Sequence, residues 1–261
     1  MSTWLLHQGD ALLWLPRLDG ESVDMLLTDP PYSSGGLHKA TRSTGSVSKY
    51  INSESQRNKD YPEFFGDNRD QRSMLAWCAL WLAECWRVLR AGAVAAVFAD
   101  WRQLPLMTDA LQAGGFVWRG LLVWDKTEAA RTIAPGYPRH QCEYVVWGTK
   151  GELPVRPPGT GLSFPGCLRV PTGRDKVHAT EKPLQLLLEL IKLAPEEGRV
   201  LDPFMGSGST GVAALRSGRS FIGAELAPEC FALAWAGLEA ESAQVDRPDH
   251  SGQQMPLLGA P

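Results

Sequence analysis

Val200-Leu201-Asp202-Pro203-Phe204-Met205-Gly206-Ser207-Gly208-Ser209-Thr210-Gly211 is the stretch that decides the fold. An apolar pair begins a strand, Pro203 ends it, and three glycines at GxGxxG spacing open a helix over 209–217. Glycines permit a tight turn there and let the backbone approach a ligand closely. A further strand over 220–224 ends in Glu225, at the distance from the glycines where a carboxylate grips ribose hydroxyls. The unit is a strand–helix–strand half-site for a nucleoside-containing cofactor. It is not a P-loop, because Val212 stands where that motif carries lysine.

Outward from this unit, strands alternate with helices. Strands are expected at 4–7, 23–28, 93–99, 116–124 and 142–147. Helices are expected from after Asp10 through 18, and at 73–89, 103–113, 183–194 and 228–240. Ser73 would cap the second helix and Gly92 would close its region. Met74, Trp77, Trp81, Cys85 and Val88 recur at helical spacing and read as core. The alternation indicates an α/β fold with a doubly wound, mostly parallel sheet. Residues 33–72 and 151–177 have no apolar period and read as inserts in a single domain spanning 1–242. The polar, proline-rich stretch 243–261 is expected to be a disordered tail.

Composition narrows the class. The chain has 261 residues, enough for one sizeable α/β domain, and its 44 % hydrophobic content supports a core. No apolar run approaches the ~20 residues of a membrane helix, and the first residues lack a signal-peptide pattern, so a cytoplasmic protein is expected. Five scattered cysteines without a CxxC pair argue for a reducing compartment and against a disulfide framework or a metal site. Net charge is −3, which gives no global signal for nucleic acid. Residues 33–59, however, hold Lys39, Arg42, Lys49, Arg57 and Lys59 against Glu54 alone, and 126–177 is also locally basic. Such loops are either solvated or meet phosphate.

The chemistry is carried by Asp29-Pro30-Pro31-Tyr32, which closes the apolar run Val23 to Thr28. Two prolines cannot extend a central strand, so the chain must leave the sheet there. One carboxylate, rigid carbonyls and one ring are thereby set at the carboxyl end of a strand, where open α/β sheets bind ligands. The set suits a planar group bearing an NH2. Two cofactors fit the glycine turn, a nicotinamide dinucleotide and S-adenosylmethionine. The dinucleotide leaves Asp29 to Tyr32 unexplained, and the Asp202 carboxylate is better matched to a sulfonium or amino group than to a pyrophosphate.

Asp29-Pro30-Pro31-Tyr32, the run Asp202 to Thr210, and His178-Ala179-Thr180-Glu181-Lys182-Pro183 together resemble the amino-methylating DNA methyltransferases. The catalytic motif precedes the cofactor motif, as in the permuted, beta-type order. The resemblance implies a Rossmann-like S-adenosylmethionine-dependent methyltransferase fold with inserted recognition loops, and no metal. It implies that Asp29 and the Pro30 carbonyl accept hydrogen bonds from the target amine, with Pro31 shaping the turn. Tyr32 would stack on a base flipped out of double-stranded DNA. Asp202, Pro203, Phe204, Gly206, Ser207, Gly208, Ser209 and Thr210 would shape the methionine end of the cofactor site, and Glu225 would hold the ribose. Asp10 would meet the adenine, unless it is only a helix cap. Thr180 and Lys182 would close the pocket, unless Lys182 is only a surface residue. His178 reads as structural. Arg42, Lys49 and Arg57 are the candidate phosphate contacts.

The tetrad resembles adenine-N6 members first and cytosine-N4 members second. Methylation of RNA or of a protein amide, and a non-catalytic nucleic-acid-binding module, remain open at this stage. So does an oxidoreductase on the glycine motif alone. By analogy a homodimer and a restriction endonuclease partner are further expectations, in a bacterial or phage-encoded setting.

Overall fold

The computed structural model describes residues 2–32, 69–128, 136–153, 164–172 and 182–245. Expectations placed on 33–68, including Arg42, Lys49 and Arg57, and on His178 and Thr180 lie outside the described residues.

In chain order the elements are β1 (Trp4–Gln8), α1 (Ala11–Trp14), β2 (Val23–Thr28), α2 (Gln71–Val88), β3 (Leu89–Ala99) and α3 (Leu104–Ala113). They continue with β4 (Val117–Asp125), β5 (Cys142–Thr149), β6 (Cys167–Arg169), α4 (Leu184–Leu190), β7 (Arg199–Asp202), α5 (Ser209–Arg216), β8 (Ser220–Glu225) and α6 (Pro228–Val245). The eight strands form one sheet in the order β1-β8-β7-β2-β3-β5-β4-β6. Each neighbouring pair is parallel except that β5 runs against both β3 and β4.

Two cores lie on the two faces. Side chains of α1, α2 and α3 pack with Val23, Leu26, Ala95, Val97 and Leu201. Side chains of α4, α5 and α6 pack with Met25, Leu27, Ala96, Phe98 and Val200. Successive residues from Met25 to Leu27 thus point into opposite cores, which is why the strand reads as apolar there without alternation. Doubly wound packing is what the strand–helix alternation implied. Trp81, Met74, Cys85 and Val88 are buried as core, with Trp77 packed against them. Among the described residues no helix is long and apolar enough to cross a membrane.

Several boundaries differ from the sequence expectation: β3 begins at Leu89 rather than 93, and α1 and α4 give way to 3-10 turns after Trp14 and Leu190. Helix α2 starts before Ser73, because the Asp70 side chain accepts from the Arg72 and Ser73 amides at 3.0 and 3.1 Å and is the cap. The Ser73 hydroxyl instead donates to the Asp70 carbonyl. Gly92 does not close a helix; it lies inside β3 with φ +76°, where the β2–β3 register shifts. Part of the stretch 151–177 joins the sheet, as the three-residue β6 beside β4, too short to show a period. Helix α6 runs to Val245, so 243–245 belong to the helix and not to a tail.

Candidate active site

Strands β7 and β2 are neighbours, with Met25 opposite Val200 and Leu26 opposite Leu201. The helix after β2 lies in one core and the helix after β7 in the other. Adjacent strands whose chains leave to opposite faces open a crevice at their carboxyl ends, the usual ligand position in such sheets. Both sequence motifs leave the sheet there. The Thr28 hydroxyl donates to Asp202 Oδ1 at 2.6 Å and ties the two turns together.

On the β2 side, Asp29 is the centre of a compact polar group. Its Oδ2 accepts from Lys182 Nζ and its Oδ1 from the Tyr32 hydroxyl. Glu143 completes the group, with Oε1 3.5 Å from Lys182 Nζ and 3.4 Å from the Tyr32 hydroxyl. The Lys182 ammonium also lies 4.9 Å from the centre of the Phe98 ring. Burial pushes the Asp29 carboxyl up, and Glu143 adds to this, while the Lys182 charge opposes it. Burial also pushes Lys182 down, but the two carboxylates more than offset it and hold the ammonium charged. The Tyr32 phenol is raised well above its ordinary value by burial and by Asp29, so it stays a donor.

Lys182 is therefore not a surface residue: it is buried and its head group sits on the Asp29 side of the crevice. No sequence motif includes Glu143, which lies within the locally basic stretch 126–177. It stands at the amino end of β5, and because β5 is reversed, that end lies at the carboxyl edge of its neighbours. Only the strand direction reveals this.

On the β7 side the glycines serve different ends. Gly208 has φ +85°, and a Cβ there would lie 2.9 Å from the Ala234 Cα. A Cβ on Gly211 would lie 2.7 Å from the Phe221 ring. These two permit close packing. Gly206 has φ +53° with open space in front of it, which is the cradle a ligand needs. Its amide donates to Glu225 Oε2 at 3.0 Å, and the Ala227 amide donates to Oε1 at 2.8 Å. A carboxylate has about four acceptor positions, so Glu225 can still take hydroxyl donors. Burial raises its pKa.

Asp202 is buried and accepts from Thr28, from Thr210 and from the Phe204 amide. Burial raises its carboxyl to about 7. Pro203 and Thr210 are buried, while Ser207 and Ser209 are half-buried around the turn. The Phe204 ring meets Trp77 and Trp81 at 5.2 and 5.0 Å and anchors the turn to the core. Asp10 caps α1, its Oδ1 accepting from the Leu12 amide at 2.8 Å. It is also exposed and follows Gly9, whose amide donates to the Glu225 carbonyl at 2.9 Å. Asp10 and Glu225 thus share one end of the crevice. An exposed and a half-buried carboxylate with an open glycine at one end, and the buried Asp202 carboxylate at the other, fit a ribonucleoside joined to a cationic group.

A family model described as DNA methylase matches residues 23–164 and 155–235. The chain belongs to this family of N6 and N4 DNA methylases. YubD of Escherichia coli (strain K12), a candidate methylase by its name, is 33 % identical over 220 residues, covering 84 % of this chain and 83 % of YubD. The type II methyltransferase M2.DpnII of Streptococcus pneumoniae is 29 % identical over 256 residues, covering 91 % and 90 %. The fold is that of M1.HpyAVI, solved as a complex with SAM, at a TM-score of 0.63 and 24 % identity, covering 90 % of this chain and 99 % of that one. It is also that of the cytosine-N4-specific PvuII DNA methyltransferase, at a TM-score of 0.66 and 18 % identity, covering 96 % and 88 %.

Proposed function

We propose that this chain transfers a methyl group from S-adenosylmethionine to the exocyclic N6 of adenine, in a base flipped out of double-stranded DNA. The observation that carries this is the Asp29 carboxylate, half-buried at the switch-point crevice and facing two donors, beside a glycine turn with an open cradle. S-adenosylmethionine, when bound, supplies a methyl group on a positively charged sulfur. Gly206, Glu225, Asp10 and Asp202 would hold it, with Thr180 and Lys182 toward the opposite side.

The protein's part is positioning and electrostatics. An aromatic amine is a poor nucleophile because its lone pair is delocalised into the ring. Asp29 and the Pro30 carbonyl accept its two hydrogens and draw the lone pair out of conjugation. The positions on Asp29 now met by Lys182 and Tyr32 become the seat of the amine. Tyr32 stacks on the base, and Pro31 fixes the direction in which the turn leaves the sheet. Once the bond to carbon forms, the nitrogen must lose a proton. Asp29, whose carboxyl is raised by burial, is placed to take it.

Cytosine-N4 is the second reading, favoured by the fold shared with PvuII DNA methyltransferase. Both amines present the same two hydrogens to Asp29 and the Pro30 carbonyl. Relatives named as type II methyltransferases support a restriction-modification setting with an endonuclease partner, and a bacterial cytoplasmic location. The single-domain reading of 1–242, with base recognition shared between the two inserts, belongs to the same proposal.

The test is mass spectrometry of nucleosides after incubating unmethylated DNA with the protein and S-adenosylmethionine. N6-methyladenine should form, and Asp29→Ala should lower the rate by at least ~100-fold while S-adenosylmethionine still binds. N4-methylcytosine would transfer the proposal to the second base. No methylated base in DNA, with cofactor bound, would overturn it.

A further inference from the structure

At the rim of the crevice three planar groups are gathered: the Trp101 indole, the His140 imidazole and the Arg102 guanidinium. The Trp101 and His140 rings stack with centroids 5.9 Å apart and planes 15° from parallel. Arg102 Cζ lies 4.5 Å from the indole centre. Trp101 is 50 % exposed, and it belongs to neither core. The turn that carries it is nonetheless pinned. Asp100 Oδ1 accepts from the Arg102 amide at 3.0 Å and the Gln103 amide at 2.9 Å, just before α3 begins.

The position ties this cluster to the site. Asp100 follows Ala99, the last residue of β3, which pairs with Tyr144 beside Glu143. Its negative charge reaches Tyr32 and helps to keep that phenol protonated. His140 lies three residues before Glu143, about 10 Å along an extended chain. Tyr137, on the same approach to β5, is 71 % exposed. An exposed indole held on a pinned turn at the carboxyl end of β3, the edge of the sheet that also carries the polar group, is a surface built for contact. Its chemistry is that of a stacking platform with an adjoining cation, as used for nucleic-acid strands. The Arg102 pair with Asp100, at 3.4 Å and partly exposed, is weak enough to exchange for a phosphate.

We propose that Trp101, backed by His140 and Arg102, is a second nucleic-acid contact: the indole takes a base of the strand flanking the target nucleotide, and Arg102 meets a neighbouring phosphate. This rests on the DNA reading above. The catalytic tetrad holds the base that reacts, and the Trp101 cluster holds the strand from which it came. Trp101 and Arg102 lie outside both basic stretches that the sequence singled out, and His140 lies within the second.

The experiment measures binding of a fluorescein-labelled random-sequence DNA duplex by anisotropy across a salt series, with S-adenosylmethionine affinity and thermal stability measured in parallel. Trp101→Ala should weaken duplex binding ~10-fold, and Trp101→Phe should restore most of it. Arg102→Gln should lower the slope of log Kd against log salt by about one. Trp101→Ala should raise the KM for DNA with kcat retained, and leave cofactor affinity and thermal stability at wild-type values. Duplex binding by Trp101→Ala equal to that of a wild type that does bind DNA would overturn this inference and leave the methyltransferase reading standing. Parallel loss of cofactor binding or stability would make Trp101 a structural residue and overturn it too. A wild type that neither binds nor methylates DNA would overturn both.

Discussion

Replacing Asp202 by asparagine should stabilise the protein near neutral pH and weaken its hold on the cofactor. Asp202 is 1 % exposed. Its hydrogen-bond donors are the neutral Thr28 and Thr210 hydroxyls and the Phe204 amide, and burial raises its carboxyl from 3.8 to about 7, with the Asp29 charge adding to the effect. Below pH 4 the group is protonated in both the folded and the unfolded chain. Between 4 and 7 the unfolded chain ionises it while the folded chain keeps the proton. Stability therefore falls as pH rises through this window, at ~1.4 kcal/mol per pH unit for this one group, and levels off above 7. The full loss is on the order of 4 kcal/mol. Asparagine keeps an oxygen for Thr28 and Phe204 but cannot ionise. Chemical denaturation of both proteins between pH 4 and 8 isolates the effect, because the other raised carboxyls, Asp29 and Glu225, are common to both. The variant should gain on the wild type steadily up to pH 7. Calorimetry at pH 8 should show weaker S-adenosylmethionine binding by the variant, since a buried negative charge matched to a cationic ligand has been lost. Superimposable pH dependences of stability would refute the reasoning.

Two further outcomes follow from the polar group and the glycine turn. Lys182→Met removes the charge that holds Asp29 down, so the acid limb of the kcat/KM profile should move to higher pH; Glu143→Gln removes a charge that raises Asp29 and should move the limb to lower pH. Shifts in the same direction would contradict this assignment. Gly208→Ala places a Cβ against the backbone of Ala234 at positive φ and should cost ~2 kcal/mol in chemical denaturation. Gly206→Ala meets open space and should cost less, ~1 kcal/mol from backbone strain, while impairing S-adenosylmethionine binding more than stability.

Much of the fold was legible because its signals are local. The consecutive apolar residues Met25, Leu26 and Leu27 report a strand buried on both faces, and the structure places Leu26 in one core and Leu27 in the other. The Pro30-Pro31 pair, and Pro203 with the glycine turn, mark where the chain must leave the sheet. Local signals failed where two caps competed, as with Asp70 and Ser73, and where a glycine could end a helix or bend a strand, as with Gly92. The three residues of β6 are too few to carry a period. Lys182 shows the same limit within the site: its motif placed it near the cofactor, but its partners, Asp29 and Glu143, are distant in sequence.

The sequence by itself determined the strand–helix alternation, the two turns that carry chemistry, and the residue types within them, because propensity, proline geometry and glycine freedom act over a few neighbouring residues. Tertiary structure alone decided that these turns leave adjacent strands toward opposite faces, and so which ends of the sheet form a crevice. It alone decided that β5 is reversed, which carries Glu143 to Asp29 and His140 to Trp101. Strand order and direction depend on which long-range pairings bury the most apolar surface, and no short stretch of chain encodes that choice.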